Sequence, residues 1–466
     1  MLGPAMVFSS PTFLFLFLPV TLLGYVAVPA RWRNAVLLLA SVVFYVWGAG
    51  AAVAVLLYVA LVALIGGRLV AHDRSRRILA ALVVLLLTPL AFFKYLPPLA
   101  QLSLGHAPAW ALPLGISFFT FHAISYVVDV HQRRIEPERS TKDLLLYLFL
   151  FPHQIAGPIV RYREIVTELK DRRDVTLGNL TYGCSRFTWG LAKKAFVADS
   201  AGVVADAAFA GQGTPNLATA WLGALAYAIQ IYFDFSGYTD MAVGLAAMFG
   251  FRFPENFANP YRAIGPADFW RRWHMTLSRW FRDYLYIPLG GNRHGVRREY
   301  LALVITFTAT ALWHGAAWTF LVWGALHSAA LLLERVTGLR EDTRALAARR
   351  ALTVAFVVLA WVPFRAPTLH RAVEIWHGMV AGGFGAPSPQ VLLTLTPWSL
   401  LALGLGGLAA VGPRERTGFQ WVHGLCPPDL SGFRYGRAVL VAPALLVVAV
   451  VSMLWLDFSP FLYFQF

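Results

Sequence analysis

Charged residues are scarce in this sequence. Asp, Glu, Lys and Arg make up 14% of its 466 residues, whereas hydrophobic residues make up 58%. A soluble domain carries about 25% charged residues, because its surface must stay in water. The composition therefore excludes an ordinary soluble protein and predicts an all-α protein that crosses a membrane many times. We expect one integral-membrane domain over residues 1–466, with about eleven transmembrane helices plus re-entrant and interfacial helices.

Cysteine is also rare. The two cysteines, Cys184 and Cys426, have no CxxC spacing and no histidine at ligand spacing, which argues against a disulfide framework and a metal site. The residues before the first apolar run, Phe13 to Val28, include no Lys or Arg, so the basic region of a cleavable signal peptide is missing. We interpret this run as a retained first span.

Acidic residues are outnumbered by basic ones, 24 against 39. The basic residues lie in short connections between apolar runs, as the positive-inside rule describes, so topology explains the charge better than nucleic-acid binding does. Arg31 and Arg33, Arg68 to Arg77, and Arg133 to Lys142 are predicted to be cytoplasmic. The uncharged connection from Pro97 to Trp110 and the N-terminus are then outside. Anionic lipid or an anionic cosubstrate are secondary partners.

The longest uncharged run extends from Tyr300 to Leu333, and His314 lies near its middle. One straight helix of that length would be roughly 50 Å long, whereas the hydrocarbon core of a bilayer is only ~30 Å thick. We therefore predict two membrane helices, or one span and a broken one, with a break at Gly315, because glycine weakens a helix where it stands. The break would leave the His314 imidazole beside loosened backbone, where it either serves a reaction or hydrogen-bonds a neighbouring helix.

Two carboxylates, Asp234 and Asp240, interrupt the apolar run from Leu217 to Phe253. Carboxylates at bilayer depth need partners or a water-filled cavity. We predict that they pair with Arg262 or Arg271 and thereby support the structure or line the site. A transporter or export channel, the competing class of protein, would instead use these carboxylates and the histidines as a proton or ion pathway.

His153 belongs to the segment FPHQIAGPIVRYRE, in which Gly157 and Pro158 interrupt any helix. A short re-entrant piece fits this segment, with His153 either lining a cavity or packing against a neighbour. The stretch from Thr181 to Phe209 mixes charged and apolar residues and predicts an interfacial or bundle-edge helix.

The stretch from Asp268 to Glu299 is basic and aromatic. Its apolar residues recur at spacings of four, four, three and four, which predicts one helix with an apolar stripe of Phe269, Trp273, Leu277, Trp280 and Tyr284. His274 lies between this stripe and the basic face. The helix either lies along the headgroups or lines a cavity for a phosphate-bearing cosubstrate, because Arg matches phosphate oxygens. The candidate cosubstrate-binding residues are Arg271, Arg272, Arg279 and Arg282.

Six sequence blocks, in order over nearly the whole chain, carry a resemblance. They are PLGISFFTFHAISYVVDV from Pro113, FPHQIAGPI from Phe151, YFDFSGYTDMAVG from Tyr232, NFANPY with FWRRWHMTLSRWFRDYLYIPLGGN from Asn256, LWHGAAWTF from Leu312, and SPFLYFQF at the C-terminus. Together they resemble the bacterial polysaccharide-modifying branch of the membrane-bound O-acyltransferase family, which includes alginate O-acetyltransferase.

The resemblance implies an enzyme of the cytoplasmic (inner) membrane. Such an enzyme moves acetyl from a cytoplasmic thioester, generally acetyl-CoA, to hydroxyls of a polysaccharide outside, alginate-like exopolysaccharide above all. It binds no cofactor and works with an extracytoplasmic hydrolase-like partner. In this family, the histidine at the position of His314 is the catalytic residue, and the histidine at the position of His274 is the second polar residue of the active site. D-alanyl transfer and peptidoglycan O-acylation share most of the blocks and stay open as alternatives.

This chemistry suits the residues. Acyl transfer to an alcohol needs a base for the hydroxyl proton, and a neutral imidazole at His314 can supply it. His274 would orient the donor or donate a hydrogen bond to the developing oxyanion. Tyr463, in the terminal block, either belongs to an aromatic belt at the membrane interface or carries the acyl group onward as an ester, as the resemblance implies.

Overall fold

The computed structural model describes residues 6–104, 112–171, 175–339, 345–412, 416–424, 430, 432–455 and 461–462. They form helices and loops with no β-strand among them, which confirms the all-α prediction. The chain divides into two compact units. The first comprises Met1–Phe187 and Thr239–Pro254, and the second Thr188–Tyr238 and Glu255–Phe466. The prediction of a single functional domain stays a prediction.

The described residues up to Ala192 form nine helices. A π-helical turn, Phe13–Phe17, leads into the first of them, and a 3-10 turn, Gly50–Ala52, joins the second to the third. The helices are α1 Leu18–Ala27, α2 Ala30–Ala49, α3 Val53–His72, α4 Arg76–Leu104, α5 Ile116–His131, α6 Thr141–Phe149, α7 Phe151–Gln154, α8 Tyr162–Lys170 and α9 Leu177–Ala192.

The rest of the chain forms twelve further helices among its described residues. Shorter turns separate some of them, at Lys193–Ala198, Pro260–Arg262 and Arg282–Tyr286. The helices are α10 Asp199–Ala210, α11 Leu217–Met248, α12 Pro266–Trp270, α13 Met275–Phe281, α14 Val296–His314, α15 Trp318–Val336, α16 Leu346–Arg365, α17 Leu369–Ala381, α18 Pro389–Thr394, α19 Pro397–Ala410, α20 Gly418–His423 and α21 Tyr435–Trp455.

Five described helical stretches are long and apolar enough to cross a membrane: Ala30–His72, Arg76–Gln101, Trp318–Val336, Leu346–Arg365 and Tyr435–Trp455. The first of these contains both α2 and α3. Shorter apolar helices lie at Phe13–Ala27 and Pro397–Ala410. The chain is therefore a multi-pass membrane protein, as its composition predicts, and the number of about eleven spans stays a prediction.

The predicted interruption after Phe151 is present in the first unit. Helix α7 ends at Gln154, and the non-helical residues 155–161 are buried before α8 begins. Polar side chains pair with backbone groups that have no partner within a helix. The Tyr147 hydroxyl donates to the Val160 carbonyl, and the Ser41 hydroxyl accepts from the Phe151 N–H at the start of α7. Irregular backbone is tolerated in a membrane protein where the protein itself provides such partners.

Two expectations about the connections are wrong. Helix α4 continues through Pro97 to Leu104, so the first half of the predicted external connection is helical. The stretch from Thr181 to Phe209 is not an edge helix, because the side chains of Arg186 and Lys194 are only 4% and 2% exposed. Each cation points inward to a carboxylate, which compensates for its loss of water.

Candidate active site

His314 is the last residue of α14, and α15 begins only at Trp318. The two helices pack against each other across this break, which confirms the break predicted at Gly315. A Cβ atom at position 315 would lie 2.4 Å from the Phe320 ring, so any other residue here would require that ring to move. The turn leaves the imidazole of His314 at the end of one helix and beside the start of the next.

Aromatic rings surround the buried imidazole of His314. The ring centroid of Trp313 lies 4.7 Å away, that of Phe364 4.9 Å and that of Trp323 5.2 Å. Phe320 lies parallel to the imidazole at 6.1 Å. These rings exclude bulk water and restrict the imidazole to few orientations, which are the conditions that a positioned general base needs.

His274 has a left-handed backbone conformation, with φ 42° and ψ 53°, directly before α13. A non-glycine residue rarely adopts it, and such strain persists only where the surroundings enforce it. Two backbone hydrogen bonds do so here: the Met275 N–H donates to the Asn256 carbonyl at 2.9 Å, and the Ala258 N–H donates to the Arg272 carbonyl at 2.9 Å.

This conformation overturns the prediction of one continuous helix with an apolar stripe. Residues 266–286 form α12, a turn, α13 and a π-helical turn, so the even spacing of the aromatic residues does not reflect a single helix. Phe269 and Trp273 are nevertheless buried and stack on each other, 5.6 Å apart. Residues 266–286 thus place both rings in the core of the second unit, and the turn between α12 and α13 leaves His274 buried.

Asn256 determines the tautomer of His274. Its side-chain oxygen accepts the Thr276 backbone N–H and lies 3.1 Å from Nδ1 of His274. Because an amide oxygen only accepts, Nδ1 carries the proton and Nε2 of the neutral ring carries a lone pair. Burial holds the pKa of His274 well below its ordinary value, so the ring is neutral. His274 is therefore a hydrogen-bond acceptor at Nε2.

Trp313 is adjacent to both imidazoles, since its ring centroid lies 6.5 Å from that of His274 and 4.7 Å from that of His314. Phe235, on α11, packs edge-on against His274 at 4.6 Å. The structure thus brings the two histidines predicted from the sequence beside one indole ring.

A third buried histidine, His327 on α15, was not selected from the sequence. The Trp270 indole N–H donates to its Nδ1 at 3.2 Å, and its ring lies 5.1 Å from Trp323, which also contacts His314. Nδ1 accepts, so Nε2 of the neutral ring carries the proton. The signal was available, because His327 lies in the same uncharged run as His314.

A cavity of about 360 Å³ lies against α14 and α15. Thr306 and Thr310 line it from α14, and His314 follows Thr310 by one helical turn on the same face. Leu331 lines it from α15, and His327 precedes Leu331 by one turn. The three histidines do not line the cavity themselves: His314 and His327 each lie one helical turn beyond a lining residue.

Arginine side chains line the same cavity. Arg271 and Arg282, two of the four predicted cosubstrate-binding residues, belong to it together with Arg335. The side chains of Arg271 and Arg282 are 56% and 57% exposed, so their guanidinium groups lie at the open end. The cavity has cations at its mouth and largely apolar walls, and the histidines lie one helical turn further along α14 and α15. This arrangement suits a ligand that is anionic at one end and reactive at the other.

Arg272 and Arg279 do not line this cavity. Arg272 bonds Asp268 and the Ala258 carbonyl, and Arg279 donates to the carbonyl oxygens of Met275 and Glu255. Both brace the backbone on either side of His274. Their assignment to cosubstrate binding stays a prediction.

The carboxylates of Asp234 and Asp240 have other partners than predicted. Asp240 pairs with Arg186 at 2.6 Å, and Asp234 pairs with Lys194 at 2.8 Å. The expected partners, Arg262 and Arg271, are not involved, and Arg271 pairs with Asp268 instead. Both paired cations belong to the stretch from Thr181 to Phe209, which the sequence assigns to the interface or the edge of the bundle. The sequence therefore does not predict them as partners of these carboxylates.

Two further predicted site residues are His153 and Tyr463. His153 is fully buried in the first unit, where Nε2 lies 2.8 Å from the Tyr147 carbonyl and the ring stacks on Phe253. These contacts favour packing over a reactive role, and the assignment to the site stays a prediction. Tyr463 lies outside the described residues.

Known proteins resemble this chain over most of its length. The profile of the membrane-bound O-acyltransferase family matches residues 77–369. The probable alginate O-acetylase AlgI of Pseudomonas fluorescens is 40% identical, over 99% of this chain and all of the relative. The peptidoglycan O-acetyltransferase of Helicobacter pylori is 35% identical over 80% of both chains. The teichoic acid D-alanyltransferase of Bacillus subtilis is 29% identical over 57% of this chain and 71% of the relative. The chain is an O-acyltransferase and belongs to the membrane-bound O-acyltransferase family.

Proposed function

We propose that this enzyme moves acetyl from acetyl-CoA in the cytoplasm to hydroxyls of an alginate-like exopolysaccharide, with His314 as the general base. The observation that carries the proposal is the cavity beside α14. Arg271 and Arg282 at its open end suit the phosphates of the donor, and Thr306 and Thr310 line it from the face of α14 that bears His314. The thioester of a donor held there would extend one helical turn beyond Thr310 to meet the imidazole.

The reaction balances with this one base. His314 takes the proton of an attacking hydroxyl, whose oxygen forms a bond to the thioester carbonyl carbon. The tetrahedral intermediate collapses, the carbon–sulfur bond breaks and the thiolate of the donor receives the proton from the imidazolium. No acyl-enzyme at Ser or Cys is required.

His274 orients the donor in this proposal. In its neutral form the Nδ1 proton is engaged by Asn256, so Nε2 accepts a hydrogen bond from a substrate N–H or O–H. Of the two roles expected from the sequence, donation to the oxyanion is the less compatible with this tautomer. Orientation of the donor is the more compatible one.

The acceptor assignment follows the relatives. Identity to the alginate O-acetylases extends over 99% of the chain, whereas the peptidoglycan and teichoic acid enzymes match shorter parts of it. We therefore favour an alginate-like acceptor over peptidoglycan O-acylation and D-alanyl transfer. An extracytoplasmic hydrolase-like partner would complete the transfer, and Tyr463 would carry the acetyl between the two proteins as a phenolic ester.

The direct test of the proposal uses the purified enzyme in detergent. The protein should convert acetyl-CoA to free CoA in the presence of the acceptor polysaccharide and the partner, and the acetyl should appear on the polymer. A protein that consumes D-alanyl thioesters but not acetyl-CoA would overturn the choice of donor.

The membrane topology gives a second test. We place the protein in the cytoplasmic membrane with its N-terminus outside, so the start of α4 is cytoplasmic and its end is external. With Cys184 and Cys426 replaced by Ser, an impermeant thiol reagent should label Ser103→Cys in intact cells and Arg76→Cys only after permeabilisation. The reverse pattern would invert the topology.

Removing charge at the cavity mouth should weaken donor binding. Arg282→Gln is expected to raise the KM for acetyl-CoA by about tenfold, because one charge-assisted hydrogen bond to phosphate contributes roughly 1.5 kcal/mol. The kcat should change less than twofold or so, since only ground-state binding is lost. Steady-state kinetics with purified protein measure both constants.

A matched control is Arg297→Gln. Arg297 is exposed on the first turn of α14 and does not line the cavity. It should leave the KM unchanged, which separates a specific contact from the loss of overall positive charge. Equal effects of the two substitutions would reduce Arg282 to a general contribution to surface potential.

A further inference from the structure

The second unit contains a cation that is almost completely enclosed. The side chain of Lys194, in the π-helical turn Lys193–Ala198, is 2% exposed. Its Nζ lies 2.6 Å from Asp199 and 2.8 Å from Asp234, which is also 2% exposed. Such a pair costs much desolvation and can often be replaced by apolar residues, so stability alone does not explain it.

Lys194 and Asp234 also contact two residues that follow α21, Phe461 and Leu462. One oxygen of Asp234 faces Lys194, and the other accepts the backbone N–H of Leu462 at 3.0 Å. Nζ of Lys194 lies 4.9 Å from the centroid of the Phe461 ring, whose other side meets Tyr238 edge-on at 4.5 Å. Phe461 and Leu462 are 1% and 8% exposed. The two members of the ion pair thus each contact one of two consecutive residues, Lys194 by a cation–π contact with Phe461 and Asp234 by a hydrogen bond from Leu462.

This anchor lies next to the residue that contacts His274. Asp234 and Phe235 are neighbours on α11, and the Phe235 ring packs against His274 at 4.6 Å. The backbone of Leu462 is therefore fixed within one helical turn of the residue that supports the proposed site. Tyr463 is the next residue in the chain.

We propose that Lys194 and Asp234 are positioning residues that dock Phe461 and Leu462 beside the His274 site and so fix the point from which Tyr463 extends. The two residues would act on acyl transfer only through the chain end. The positioning role rests on the proposed function, whereas the docking itself does not.

The docking can be measured without any activity. In a chain with Cys184 and Cys426 replaced by Ser, the thiol of Leu462→Cys should react slowly with a maleimide, because this side chain is buried. Adding Asp234→Asn removes one of the two carboxylate partners of Lys194 and weakens acceptance of the Leu462 N–H. The labelling rate in the full-length, detergent-solubilised protein should then rise at least about tenfold.

Asp240→Asn is the matched control. It makes the same chemical change on the same helix, at a buried carboxylate that pairs with Arg186. It should leave the labelling of Leu462→Cys within about twofold of the starting rate. Equal acceleration by both substitutions would mean general loosening and would overturn the docking, as would no acceleration by Asp234→Asn.

The positioning role needs a second readout. In the native cysteine background, Asp234→Asn should lower polymer acetylation strongly while leaving the KM for acetyl-CoA unchanged, because the donor cavity does not include Asp234. Faster labelling combined with wild-type polymer acetylation would overturn the positioning role. Failure of the wild-type protein to consume acetyl-CoA would count against the proposed function instead, and the labelling result would still decide the docking.

Discussion

His314→Ala is expected to lower polymer acetylation by about 10² to 10⁴-fold while the protein still inserts and accumulates. Loss of a positioned general base typically has an effect of ~10² to 10⁴ on the rate. The alternative role, a hydrogen bond between helices, contributes only ~1 kcal/mol to the stability of a membrane protein. The measurement is acetyl content of the polymer against the abundance of the protein in membranes.

His314→Asn separates the two roles of this residue further. An Asn side chain can still hydrogen-bond a neighbouring helix, but it cannot take a proton near neutral pH. If His314 is a base, Asn should be nearly as inactive as Ala. If His314 only joins helices, Asn should retain most of the acetylation, and acetylation near the wild-type level with Ala would end the catalytic assignment.

The position of the candidate base could be predicted because it depends on local physics. An uncharged run too long for one span had to break, and a glycine beside the only histidine near its centre gave the place of the break. The structure adds the reason that glycine is needed, which is the close approach of Phe320. The apolar character of helices α16 and α21 follows from the same reasoning about length.

Contacts between distant parts of the chain could not be predicted in this way. The pairing of Asp234 with Lys194 joins residues 40 positions apart, and the sequence offered nearer arginines of equal charge. The tautomer of His274 likewise depends on Asn256, and only the folded backbone brings the two side chains together. Such pairs are decided by the packing of helices rather than by spacing along one of them.

The even spacing of aromatic residues after Asp268 misled the prediction for a different reason. Helical periodicity reports which residues are buried on one face, and Phe269 and Trp273 are indeed buried. Burial can also be reached by a chain that turns sharply between two short helices. The left-handed conformation of His274 is that turn, and no local preference of histidine predicts it.

Tyr463→Phe is expected to abolish most polymer acetylation, by about a hundredfold or more, without loss of folded protein. The substitution keeps the ring and removes only the phenolic oxygen, so a residue of an aromatic belt should tolerate it. A carrier cannot, because the acyl ester forms on that oxygen. Acetylated polymer is measured in cells that also contain the native partner.

Tyr435→Phe provides the matched control for this prediction. Tyr435 opens α21 and is 41% exposed, so the same loss of a hydroxyl there should leave polymer acetylation unchanged. The comparison removes any general effect of losing a phenol from the last part of the chain. A decrease with both substitutions would point to stability rather than to a carrier.

The carrier also predicts where the reaction should stop. With Tyr463→Phe, the donor cavity and His314 are intact, so the enzyme should bind acetyl-CoA with unchanged affinity but neither release CoA nor acetylate the polymer, because the first acceptor oxygen is missing. A phenol is a better leaving group than a sugar hydroxyl, so transfer from a tyrosyl ester to the polysaccharide has a favourable free energy. The segment that bears Tyr463 could carry the ester between two sites that cannot share one substrate. If Tyr463→Phe acetylates the polymer at the wild-type rate, there is no relay. His314 must then activate the acceptor hydroxyl itself, and the anchor at Lys194 and Asp234 would hold the chain end for structure alone.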